Sequence, residues 1–147
     1  MFKWNRMRPW TRHSLVLMVA GIIYVLIGIS YATADPTPER IKALHYALKW
    51  MPFHSWGIIF VLAGLLSVIS SRWPPVSKTW GYTVLTGLSG GWAGFYAVGI
   101  LFGESPMTNV SGVMSWGLIA FLWWAISGLV DPYKKEVSEW TAQRSPL

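Results

Sequence analysis

Four stretches of the chain, residues 14–34, 50–71, 79–103 and 105–130, contain no Asp, Glu, Lys or Arg. Each is close to or above the roughly 20 apolar residues a helix needs to cross the hydrocarbon core of a bilayer. The pattern therefore predicts an all-α, polytopic membrane protein with four transmembrane helices, spanning about residues 14–33, 54–70, 81–103 and 113–130. A basic tail of residues 1–13 precedes this bundle and a polar tail of residues 131–147 follows it. One alternative concerns the start: Ala32-Thr33-Ala34 ahead of Asp35 fits a signal-peptidase site. The apolar run before it is longer than the roughly 7–15 residues usual for a signal peptide. Cleavage there would leave three spans.

The polar segments add detail. Between the first two spans, Thr37, Pro38 and Glu39 read as an N-cap, a first-turn proline and an acid favoured by the helix dipole. Ile41, Leu44, Leu48 and Met51 then recur at spacings of three, four and three, an amphipathic stripe ended by Pro52. A short helix is expected here, either lying on the membrane surface or packed over the bundle. Pro74-Pro75 make the next connection tight, and "ESPMTNVSG" reads as a short polar link before the last span.

Charge sets the orientation. Lys3, Arg6, Arg8, Arg12, Arg72, Lys78, Lys134, Lys135 and Arg144 fall on one side, and Arg40, Lys42 and Lys49 on the other. The excess places both termini in the cytoplasm. Trp50, Trp56, Trp73 and Trp80 stand near span ends, where an indole favours the membrane interface. Together with Arg8, Arg12, Arg72 and Lys78 they are the expected interfacial anchors. Composition agrees: 53% of residues are hydrophobic and 12% charged, against roughly 25% charged in soluble chains. The net charge of +6 is thus read as loop bias towards lipid, with no nucleic acid as partner. No cysteine is present, which removes thiolate metal sites and cysteine nucleophiles.

The third span carries "GLSGGWAGFYAVG", five glycines in thirteen residues. A phosphate-binding loop would need a Lys followed by Ser or Thr, and no Lys or Arg lies between Lys78 and Lys134. The G-x-G-x-x-G spacing is absent as well. Gly87 and Gly91, Gly90 and Gly94, and Gly99 and Gly103 instead form G-x-x-x-G pairs, which let a second helix approach closely in lipid. That helix belongs either to the same chain or to another copy. Gly21, Tyr24, Gly28 and Tyr31 repeat at three, four and three along the first span. Ala63 and Ser67 pair in the second, and Gly117, Trp124 and Gly128 share one side of the fourth. These are expected to face the bundle interior; an aromatic ligand pocket between Tyr24, Trp92 and Trp124 is the alternative.

Carriers, pumps and voltage sensors place ionisable groups at membrane depth, and these spans hold none. Intramembrane hydrolysis needs a Ser–His pair or a metal cluster, whereas the histidines lie outside the spans or at their ends. His45 and His54 near Glu39 are a weak metal alternative. No enzyme, cofactor or metal is expected.

The basic "RPWTRHS", the "WMPFHSWG" opening of the second span, the "SSRWPPVSKTWGYTVLTGLSGGW" turn and the "SWGLIAFLWWAISGLV" span resemble small four-span membrane proteins of actinobacterial bacteriophages. The resemblance covers about residues 7–131 and carries no catalytic signature. Some such proteins are regarded as holins, which oligomerise in the host inner membrane and release or activate an endolysin. The resemblance implies that role here, with the bilayer and other copies of the chain as partners. The alternatives are an accessory membrane protein that binds another protein, for example in superinfection exclusion, and a small-solute channel.

Overall fold

The structure is a computed structural model; it describes residues 10–73, 76–102 and 106–129. Among the described residues six helices are found: α1 (Arg12–Thr33), α2 (Pro38–Ala43), α3 (His45–Trp50), α4 (Phe53–Arg72), α5 (Lys78–Leu101) and α6 (Pro106–Gly128). α1, α4, α5 and the Asn109–Gly128 part of α6 are long and apolar enough to cross a membrane. The chain is an all-helical membrane protein by these criteria.

Local chemistry fixes the helix starts. The Thr11 hydroxyl accepts from the Ser14 N–H at the head of α1, and Thr37 does the same for Arg40 N–H at α2. Ser77 accepts from Thr79 N–H, so α5 begins at Lys78 and not at residue 81. Each cap satisfies a donor that the first helical turn leaves without a partner. α6 likewise begins at Pro106, several residues before the expected 113. Proline fits a first helical turn, where its missing N–H is not needed. Residues 107–112, with Thr108, Asn109 and Ser111 among them, continue the helix, and two of them, Asn109 and Gly112, meet α5. Hydropathy alone stops short of such residues.

The expected single helix over the first loop is two short ones. Leu44 breaks it at φ −105° and ψ 20° and turns into the protein, where its side chain is fully buried. Leu48 and Met51 are partly buried beside it, whereas Ile41 remains exposed. The strap is tied down by the Trp56 indole, whose Nε1–H donates to the Ala47 carbonyl at 3.0 Å, and by a tilted ring contact of Tyr46 with Phe102.

Consecutive long helices run up and down. α1 and α4 form one antiparallel hairpin, α5 and α6 a second, and α4 joins them by packing on α5. The first hairpin is a backbone-to-backbone seam. A Cβ on Gly21 would stand 2.7 Å from the Gly64 carbonyl oxygen, and one on Gly64 2.5 Å from that of Gly21. Gly28 and Gly57 oppose each other in the same reciprocal way, at 2.6 and 2.7 Å. Glycines seven apart on each helix thus meet in register, and only they allow this approach. The large aliphatic side chains point outward instead: Leu15, Ile22, Leu26, Leu62 and Leu65 are all exposed. Buried glycines, serines and aromatics inside an aliphatic exterior are what lipid as solvent selects.

Candidate functional site

The interior of the bundle is an aromatic column. Phe60 of α4 stacks on Tyr24 of α1 at 5.8 Å between centroids and meets the edge of Trp92 of α5 at 5.2 Å. Trp116 of α6 closes on Phe60 at 5.7 Å, and Trp56 on Trp92 at 5.1 Å. Such edge-to-face and offset pairs match the charge distribution of the rings. Trp92, at 1% exposure, is the centre of the column.

One polar chain crosses it. The Trp123 indole donates to the Tyr24 hydroxyl at 3.1 Å, and Tyr24 is hydrogen-bonded to Ser89. Ser89 donates to the Leu85 carbonyl at 2.7 Å. Since the serine proton is used there, Tyr24 must donate to Ser89 while accepting from Trp123. Every donor of this chain of bonds is satisfied, and α1, α5 and α6 are joined at one point. The chain of bonds ties three helices together.

This geometry corrects two expectations. The pocket sought between Tyr24, Trp92 and Trp124 is filled by Phe60 and Trp116, and Trp124 points outward at 64% exposure. The interior face of α6 is also not Gly117, Trp124 and Gly128: a Cβ at either glycine would meet nothing within 4 Å. Asn109, Gly112, Trp116 and Trp123 face inward instead. Gly112 is covered by the Tyr96 ring, and one residue step turns a helix by about 100°, which separates Trp123 from Trp124.

The remaining glycines divide sharply. Gly21 and Gly28 lie in the α1–α4 seam, opposite Gly64 and Gly57. The latter two carry the same seven-residue spacing, and that matched heptad is the sequence signal that identifies them. Gly99 is packed under the fully buried Asn109, whose amide Nδ2 and Oδ1 have no hydrogen-bond partner among the described residues. Gly87, Gly91 and Gly94 are exposed with open space around them, and Gly90 has only the Ala120 methyl at van der Waals distance. No other described helix of the chain uses that face. Gly103 and Arg8 lie outside the described residues.

Of the expected anchors, Trp50 and Trp80 are well exposed, Trp73 is half-buried, and Trp56 turns inward to bond the α3 strap. Arg12 is exposed at the head of α1, and Lys78 Nζ donates to Thr11 Oγ1 at 2.8 Å. Arg72 lies over the Trp10 ring. His45, His54 and Glu39 are exposed, and no three His, Cys, Asp or Glu side chains gather among the described residues. Beside Lys78, an open apolar groove of about 370 Å³ runs between Leu66, Val76, Ser77 and Trp80. Comparison of the chain with protein-family models, with curated proteins and with solved structures yields no match.

Proposed function

We propose that this chain is a non-enzymatic protein of the bacterial cytoplasmic membrane that permeabilises the bilayer by self-association, in the manner of a phage holin. The observation that carries the reading is the open face of α5. Gly87, Gly91 and Gly94 recur at spacings of four and three, and their backbone is bare to any neighbour in the membrane. In lipid, a helix face without side chains is a surface for another helix, and copies of the same chain supply one. Between their end residues the spans contain no Asp, Glu, Lys or Arg, and His54 stands at a span end, which disfavours a selective carrier. Excess Lys and Arg on one set of loops orients both termini towards the cytoplasm.

The test is controlled expression in a bacterial host with and without an endolysin. Abrupt loss of membrane potential at a defined time, followed by lysis only with the endolysin, is the expected result. Continued growth with intact potential would sink the proposal and favour an accessory protein that docks a partner.

A further inference from the structure

At the end of the bundle where α1 begins, α4 ends and α5 begins, basic side chains converge on a two-residue stretch. Arg72, in the last turn of α4, places its guanidinium carbon 4.4 Å from the Trp10 ring centroid. Lys78, the first residue of α5, reaches the neighbouring Thr11 hydroxyl. Arg12 follows directly and is exposed. The only described acids, Asp35 and Glu39, belong to the loop at the opposite end. Arg72 Nε is buried and has no hydrogen-bond partner among the described residues.

With Arg72 Nε buried, the terminal guanidinium nitrogens are the ones left for an outside acceptor, and a phosphate offers them two oxygens. We infer that Arg72, held over Trp10, binds a phosphate-bearing anion. The group has two sources, an anionic lipid headgroup and free phosphate. The half-exposed Trp10 indole and the apolar groove beside Lys78 favour the lipid, whose acyl chains need such surfaces. Anionic headgroups are concentrated on the cytoplasmic leaflet. The inference is independent of permeabilisation, because binding is read without any lysis.

The experiment titrates the purified full-length protein in detergent with phosphatidylglycerol, phosphatidylcholine or inorganic phosphate, and follows bound lipid by native mass spectrometry and the thermal midpoint. Phosphatidylglycerol should bind and raise the midpoint, and phosphatidylcholine should not. Arg72→Gln should weaken phosphatidylglycerol binding about tenfold, in line with loss of a charge-assisted hydrogen bond. Arg72→Lys should fall between, since a point charge lacks the fork. Inorganic phosphate raising the midpoint as far as the lipid, with the same loss in Arg72→Gln, supports the site and assigns it to the free anion. Equal binding of phosphatidylglycerol by Arg72→Gln and the unaltered protein overturns it. Should Arg72→Gln fail to fold, Trp10→Ala decides: removing the stacking partner must weaken lipid binding, and unchanged affinity overturns the inference.

Discussion

Replacing Gly28 by alanine tests the seam between α1 and α4 most directly. The added Cβ would stand 2.5 Å from Val61 N, 2.6 Å from the Gly57 carbonyl oxygen and 2.7 Å from a Val61 methyl. Two of these three atoms are backbone, so no rotamer change relieves the overlap. Ordinary contact begins near 3.4 Å, and the two helices must therefore part by nearly 1 Å. A gap of ~0.5–1 Å forfeits a quarter to a half of the dispersion energy across the affected surface. Overpacking of this kind costs typically about 1–3 kcal/mol, and the rigid backbone places this case at the upper end. A loss of about 3 kcal/mol is roughly a hundredfold in the folding equilibrium. The internal control is Gly91→Ala, chemically the same change at a position with nothing within 4 Å. There the monomer loses no contact, and alanine's better helix propensity is worth up to about 1 kcal/mol. Thermal unfolding in detergent, on monodisperse monomer, reads both. Equal stability of Gly28→Ala and the unaltered protein refutes the seam, as does a Gly91→Ala loss of similar size.

Further outcomes follow from the same geometry. Gly91→Leu should leave the detergent monomer folded and abolish loss of membrane potential in cells; retained potential loss shows that the open α5 face is not the surface of assembly. Trp123→Phe removes the indole donor to Tyr24 and should lower stability by ~0.6–1.7 kcal/mol, the range for hydrogen bonds between membrane helices. Trp124→Phe should change nothing measurable by the same unfolding assay, and comparable losses would mean that α6 presents a different face. Asn109→Leu, of the same branched heavy-atom shape though bulkier, removes two buried polar atoms without partners, each costing ~1–3 kcal/mol. It should raise the unfolding midpoint, and a fall would show that the amide is bonded after all.

Helix number and order were legible because charge-free stretches of this length have few other uses, and span boundaries in the structure shift by only a few residues except at α6. There a helix starting on polar residues is invisible to hydropathy, since Asn109 and Gly112 are chosen by what they touch on α5. The face of α6 was misread for a related reason. Gly117, Trp124 and Gly128 are regularly spaced, but regular spacing marks a face without saying which way it turns; Trp123, reaching Tyr24, decides that. The α1 stripe of Gly21 and Gly28 was visible alone. Its partner glycines in α4 become evident only when the heptad on one helix is laid against that on the other. The glycine-rich run of α5 is the densest cluster in the sequence, and among the described residues it is the one left uncovered.

The reciprocal seam between α1 and α4 also bears on how the protein is made. Its four glycines are supplied by the first 64 residues, and chains emerge from the ribosome N-terminal end first. The first hairpin thus has its closest contacts available before α5 has emerged from the ribosome. α5 and α6 then arrive at a completed template, with Ser89 and Trp123 meeting a tyrosine already fixed in place. Membrane insertion on this plan proceeds in two steps of two helices. A nascent chain stalled once α4 has cleared the ribosome, with α5 still inside it, should already be a compact hairpin, resistant to extraction and to proteolysis at its seam.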